Sequence, residues 1–192
     1  MNRLCRDTGI TIMRVFFGIE PGSETRQSIA DWRDRYGLAA GKPVPPANFH
    51  VTLAFIGDVN DRDLETLCHT VDEQQRGQAF VAGALTLDRV GYWPGPAIYW
   101  MGTSQDVPQI SQLAHKLQSL SGRVGGRSTK KAFTPHITLY RNCGAPPPAP
   151  VVLPDIELTY TQITLFESKP GRAGVSYHPL AEWDLGQALG LT

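Results

Sequence analysis

Two short stretches of the 192-residue chain carry one pattern: His50-Val51-Thr52-Leu53 and, 86 residues further on, His136-Ile137-Thr138-Leu139. Imidazole ordinarily titrates at about 6.5, so both protonation states are accessible near neutral pH, and a pair can supply an acid and a base together. A threonine two residues on adds a neutral hydroxyl donor. Each copy follows a turn-forming lead-in, Pro45-Pro46-Ala47-Asn48-Phe49 or Phe133-Thr134-Pro135, and runs through β-branched and apolar residues suited to a half-buried strand. Strand alternation places His50 with Thr52, and His136 with Thr138, on one face, while Val51, Leu53, Ile137 and Leu139 point into the core. At roughly 3.3 Å of rise per residue, the imidazole and hydroxyl positions of each copy lie about 6–7 Å apart at Cα. One His-x-Thr occurs by chance in many chains. Two matching copies in a chain with five histidines point to an internal duplication, each copy holding the same place in one half of the fold.

The elements that must position these stretches are legible from patterning. Met13–Ile19 reads as a strand. Ser23 is a good N-cap for a helix over 23–36 with Ile29, Trp32 and Tyr36 at helical spacing and Gly37 at its end. Residues 41–48 form an extended lead into a strand over 49–56, which Gly57-Asp58 breaks. Asp61 caps a helix to about Arg76 with a buried stripe of Leu64, Leu67, Cys68 and Val71. Residues 80–87 read as a strand covered on both faces, turning through 91–96 into an antiparallel partner at 97–102. A third helix, 106–121, presents Ile110, Leu113, Leu117 and Leu120 on one side. The second motif strand spans 133–141, and two more strands follow at 156–167 and 175–181. The proline runs at Pro45-Pro46 and Pro146–Pro148 mark surface excursions and not domain boundaries.

The remaining histidines read otherwise. His69 and His115 sit on helices off the apolar stripes and read as solvated, and His178 in a late strand reads as structural. Residues 122–131 are glycine-rich and basic, with Arg123, Arg127, Lys130 and Lys131. They lack phosphate-loop spacing, and their position before the second motif makes them a rim for an anionic ligand. Tyr140 shares the parity of His136 and could stack on a base. Arg141, the best phosphate cation, has the opposite parity, so it must lie beyond the strand end or at a bulge to reach the same face.

Composition narrows the function classes. Hydrophobic residues at 41% and charged residues at 19% fit a globular domain and not a disordered chain. Eighteen basic against eighteen acidic residues give zero formal net charge, which argues against coating long nucleic acid but not against recognising one terminal phosphate. Cys5, Cys68 and Cys143 are scattered without metal-site spacing, as expected of reduced cytoplasmic thiols, and the residues offer no metal cluster. No apolar run is long enough to span a bilayer, and no signal-peptide core opens the chain.

These residues resemble the 2H phosphoesterase superfamily, and within it the LigT- or ThpR-like RNA 2′,3′-cyclic phosphodiesterases once called 2′-5′ RNA ligases. The resemblance rests on Met13-Arg14-Val15-Phe16-Phe17-Gly18-Ile19, on the first motif with Ala54-Phe55-Ile56-Gly57, and on Tyr92-Trp93-Pro94 leading to Ile98-Tyr99-Trp100-Met101-Gly102. It continues through Phe133–Arg141 to Ser168 and Tyr177. It implies an α+β, bilobal fold over 13–192, with two antiparallel sheets, outer helices and a central cleft on a pseudo-twofold axis. Residues 1–12 would be an N-terminal extension. It further implies a cytoplasmic monomer that hydrolyses RNA or nucleotide 2′,3′-cyclic phosphates to the 2′-phosphate without metal or other cofactor. His50 would be proton donor and His136 proton acceptor, Thr52 and Thr138 would be hydroxyl donors, and Arg141 and Tyr140 would bind substrate. Run backwards, the same site would join RNA ends through a 2′-5′ linkage. Two alternatives stand beside this: a phosphodiesterase for a small cyclic phosphate such as ADP-ribose cyclic phosphate, and a nucleotide-binding module without turnover. Intact copies of both motifs disfavour the second.

Overall fold

A computed structural model describes residues 12–126, 132–171 and 174–186. The β-branched and apolar runs become strands and the amphipathic segments become helices, in the order β1 (Ile12–Ile19), α1 (Ser23–Tyr36), β2 (Lys42–Pro43), β3 (Val51–Asn60), α2 (Asp61–Arg76), β4 (Gly83–Leu87), β5 (Arg89–Trp93), β6 (Ile98–Gly102), α3 (Pro108–Ser121), β7 (His136–Arg141), β8 (Ile156–Tyr160), β9 (Gln162–Gly171) and β10 (Gly174–Asp184). Single 3₁₀ turns at Pro46–Asn48 and Gly122–Val124 complete it.

The α+β architecture expected from the sequence is present, with one addition to its layout. One strand set runs β10-β9-β1-β3, the other β7-β6-β5, with β2 paired to β7 on the edge that also meets β3. They meet edge to edge through one antiparallel pair, Val51 with Ile137, so the two expected sheets form a single hydrogen-bonded path. These are equivalent positions of the two motif copies, so the pseudo-twofold relation passes between them. Both side chains are fully buried in a cluster shared by both strand sets and all three helices. That buried seam joins the halves at the point where the motifs lie.

Several local expectations give way to nonlocal pairing. The strand at 83–87 does not turn back onto 98–102. It pairs with β8 in a separate two-stranded ribbon and buries one face only, while β5 over 89–93 takes the place beside β6. The helix caps fall one residue earlier than read. Gly22 and not Ser23 precedes α1, without a side-chain cap, and the Asn60 side chain and not Asp61 accepts from the Asp63 N–H of α2 at 2.9 Å. Gly57 does not end the strand. At φ 98° it follows an extra residue, Ile56, that the β1 ladder skips, and β3 continues to Asn60. A positive φ there suits glycine, which has no Cβ to clash.

Candidate active site

Val51 and Ile137 point into the core, so their neighbours point out. The antiparallel register that pairs these two residues sets His50 beside Thr138 and Thr52 beside His136. All four side chains are partly buried on one face. Each flank of the face thus holds an imidazole from one motif copy and a hydroxyl from the other.

The two imidazoles are held alike. His50 Nδ1 lies 2.8 Å from the carbonyl of Asn48, and His136 Nδ1 lies 2.8 Å from that of Thr134. A carbonyl only accepts, so each Nδ1 carries a proton and each Nε2 is left to accept or donate in the cleft. An aromatic edge braces each ring. Tyr177 stands T-shaped to His50 at 4.8 Å and 77°, and Trp93 to His136 at 4.5 Å and 76°. Phe16 adds a second wall behind His50 at 4.9 Å, and Trp100 one behind His136 at 6.2 Å. Gly91 makes room for this second wall, because a Cβ there would run into the Trp100 ring.

A matched pair of bulges decides what comes next along each strand. On β7, Trp100 faces Thr138 while Tyr99 faces Tyr140, so Leu139 is an extra residue. On β3, Gly18 faces Thr52 while Phe17 faces Ala54, so Leu53 is the corresponding extra residue. A bulge inserts one residue and shifts the alternation of everything beyond it. The carbonyls of both extra residues are tied down: Leu139 accepts from the backbone N–H of Val44 at 2.9 Å, and Leu53 from the Gln118 side chain on α3 at 3.2 Å.

The bulge corrects one expectation and explains another. Tyr140 does not share the face of His136. It turns into the core, 6% exposed, beside Tyr99 and under the guanidinium of Arg33, and is not placed to stack on a ligand's base. Arg141 is the residue that regains the cleft face. It is exposed, and its charge acts on both His50 and His136. On β3 the same shift leaves Ala54 buried and brings out Phe55, 49% exposed. Phe55 and Arg141 are therefore equivalent positions of the duplicated motif. Alignment of the two copies by residue number would have exposed that pairing.

The flanks consequently differ. Beyond Thr52 and His136 lies a cavity of ≈ 580 Å³ walled by Phe55, Trp93, Pro94, Pro96 and Phe133, with Gln118 among its few polar side chains. Beyond His50 lies a groove of ≈ 210 Å³ lined by Lys42, Asn48, Arg141, Asn142 and Tyr177. Burial, with Arg141 and His136 acting against a second positive charge, pushes His50 down to about 4 despite its Asn48 bond. Burial and Arg141 likewise lower His136.

Of the other sequence candidates, His69, His115 and His178 are exposed, and His178 bonds the Ser176 hydroxyl at 3.0 Å. Arg127, Lys130 and Lys131 lie outside the described residues. Arg33 was missed. It is 6% exposed, donates to the Val44 carbonyl at 2.5 Å and covers Phe49, thereby bracing the lead into the first motif. Among the described residues no group of three or more His, Cys, Asp or Glu is arranged to hold a metal ion.

The architecture has close counterparts among solved structures. A family model, LigT like Phosphoesterase, matches residues 19–99, which span the first motif. The crystal structure of Escherichia coli LigT complexed with 3′-AMP superposes with a TM-score of 0.80 at 32% identity, covering 92% of this chain and 100% of that one. An RNA 2′,3′-cyclic phosphodiesterase of Escherichia coli is 33% identical over 91% of this chain and 97% of its own length. One from Thermus thermophilus is 26% identical over 90% of each. Fold and site define a bilobal phosphoesterase with a paired-histidine cleft. The chain belongs to the LigT-like phosphoesterase family.

Proposed function

We propose that this protein hydrolyses 2′,3′-cyclic phosphates at RNA ends or on nucleotides to the 2′-phosphate. The observation that carries the reading is the four-membered face around the Val51–Ile137 pair, with an imidazole and a hydroxyl on each flank. Opening a cyclic diester with water requires one proton to leave the nucleophile and one to reach the departing ribose oxygen. Groups on opposite flanks of one phosphorus suit an in-line displacement. The relatives named as RNA 2′,3′-cyclic phosphodiesterases support the substrate class.

The unequal flanks orient the substrate. A cavity of ≈ 580 Å³ falls within the roughly 300–1,000 Å³ range of small-molecule sites, and its aromatic walls suit a nucleobase. The groove of ≈ 210 Å³ falls below that range. On ribose the base is carried by C1′, next to C2′, whereas C3′ adjoins C4′ and the 5′ carbon. A base in the Phe55 cavity therefore turns O3′ toward the His50 flank. His136 Nε2 takes the water proton, the water oxygen bonds to phosphorus, the P–O3′ bond breaks, and His50 gives its proton to O3′. The product carries a 2′-phosphate and a 3′-hydroxyl. Thr52, Thr138 and Arg141 stabilise the charge gathering on the non-bridging oxygens.

The depressed pKa of free His50 runs against a donor role. Substrate resolves the conflict, because an anionic phosphate beside the ring offsets the Arg141 charge and favours the imidazolium. Two proton-transfer groups and a guanidinium meet the needs of the displacement, so we propose that it proceeds without a metal. With a 5′-hydroxyl end in place of water on the reverse path, the same groups would form a 2′-5′ linkage. All four groups come from one chain, which fits a monomeric enzyme. The buried thiol of Cys143 and the half-buried one of Cys68 fit the reducing cytoplasm.

Hydrolysis of a 2′,3′-cyclic mononucleotide in excess chelator, with the product isomer assigned by ³¹P NMR, tests the reading. Release of the 2′-phosphate alone is expected. No turnover, activity that chelation abolishes and a divalent ion restores, or a 3′-phosphate product would each overturn a stated part of it.

A further inference from the structure

The cavity on the Phe55 flank holds one polar side chain that proton transfer does not use. Of its lining residues, Thr52 and His136 belong to the reacting face, and Thr134 is exposed in the lead-in to the second motif. Gln118 stands apart from them, half-buried on α3 where that helix packs along β3. Its Nε2 donates to the carbonyl of Leu53 at 3.2 Å. Leu53 is the bulge residue, two before Phe55, so the amide is held beside the ring on which a base would lie.

A free glutamine reads either sense of hydrogen-bonding edge, because a half-turn of its amide exchanges oxygen and nitrogen. Here a half-turn would set Oε1 against the Leu53 carbonyl, two acceptors with no proton between them. The tie therefore keeps Nε2 on the Leu53 side. It leaves Oε1 and the second amide N–H, which bond to none of the described residues, for a ligand in the cavity.

Base chemistry says which edge fits. Adenine and cytosine carry an amino group beside a ring nitrogen with a free lone pair, a donor next to an acceptor. Hypoxanthine and uracil carry a carbonyl beside a ring N–H, the same edge reversed. Oε1 with its neighbouring N–H complements the first order, as in bidentate glutamine–adenine contacts, and meets the second carbonyl to carbonyl. We propose that Gln118 determines base specificity, so that cyclic phosphates of the amino bases adenine and cytosine are preferred over those of the matching keto bases. The inference rests on the phosphodiesterase reading above and names a substrate class within it.

The 2′,3′-cyclic phosphates of adenosine and inosine, and of cytidine and uridine, form two matched pairs in which ring size is kept and the edge reversed. For the wild-type chain, kcat/KM should favour adenosine over inosine and cytidine over uridine by about five-fold or more, chiefly through KM. That is the lower end of what one amide–base contact discriminates. Gln118→Met keeps an unbranched side chain of similar length without its polar atoms, and should bring both ratios to about one. If the amide served only to hold Leu53, the variant would slow all four substrates alike and leave the ratios standing, which would overturn the assignment. Equal wild-type efficiency within each pair, or a preference for inosine and uridine, would overturn it too. Calorimetric Kd values for adenosine and inosine 2′-phosphate read the same amide without turnover. They should differ about five-fold in wild type and converge in Gln118→Met. No turnover of any of the four substrates would sink the phosphodiesterase reading, while equal product affinities in the wild-type chain would sink the role of Gln118.

Discussion

Two flanks of one cleft match at their centre and differ at their rims. Next to the buried Val51–Ile137 seam they match: an imidazole held by a carbonyl two residues upstream at 2.8 Å, an aromatic edge against the ring, a hydroxyl from the other copy, and a bulge at the following leucine. Three residues past the threonine they part. One flank presents Phe55 in a wide aromatic cavity, the other Arg141 in a narrow polar groove. A symmetric pair of imidazoles and hydroxyls would not by itself distinguish the two ribose oxygens of a cyclic phosphate. In the proposed reaction the difference between Phe55 and Arg141 supplies the direction.

The largest expected effect comes from breaking the part the flanks share. His50→Ala or His136→Ala should each lower kcat by at least about 10²-fold. The double variant should be little worse than either single one, because groups acting as one unit are not additive. Steady-state and single-turnover rates on a cyclic mononucleotide provide the check, and wild-type-like hydrolysis by either single variant would remove the two-histidine mechanism. Thr52→Val and Thr138→Val keep the side-chain shape and delete a donor, so each should slow kcat by a smaller factor, roughly ten-fold, with an unchanged melting temperature.

Next in size are the residues that make the flanks unlike. Phe55→Ala removes a stacking surface worth roughly 1–3 kcal/mol per base, so KM should rise about 5- to 150-fold with little change in kcat. Arg141→Ala should lower kcat as well, because its charge faces the reacting phosphate, and should weaken binding of a 2′-phosphate product. A Phe55 variant with unchanged KM would remove the nucleobase from that cavity. An Arg141 variant binding the product as tightly as wild type would make Arg141 a surface residue.

This comparison also shows what could be read ahead of the structure. The outward face of His50, Thr52, His136 and Thr138 follows from a period of two, and the structure keeps it because Val51 and Ile137 both seek the core. The same rule misplaced Tyr140, since nothing in the type of Leu139 signals that the neighbouring strand will skip it. The skip is held from outside the motif, by the Val44 N–H, through a lead-in that Arg33 braces. Pairing of 83–87 with 156–160 was hidden for a related reason: two short apolar runs far apart in the chain carry no local sign of each other. The cap of α2 differs by a single position because Asn60 and Asp61 are both competent to cap, and only the side-chain bond to Asp63 decides between them.

The smallest expected effect lies in stability, and it again separates the flanks. In the folded chain His50 titrates at about 4, against an ordinary value of 6.5. Between those values the unfolded chain binds a proton there that the folded chain does not. Stability therefore rises with pH through this window, and it declines as pH falls from 6.5 toward 4. One such group contributes a slope of up to about 1.4 kcal/mol per pH unit. His136 is lowered by burial and Arg141 too, but the further repulsion from the partner imidazole falls on His50. His50→Asn should accordingly flatten the fall in stability between pH 6.5 and 4 more than His136→Asn does, as measured by urea unfolding at a series of pH values. Phosphate should oppose the same slope in the wild-type chain, because an anion between the flanks favours both imidazolium forms and so binds more tightly as pH falls. Parallel slopes for wild type and His50→Asn, unaltered by phosphate, would mean that the imidazole on the Arg141 flank is not the one held furthest from charge.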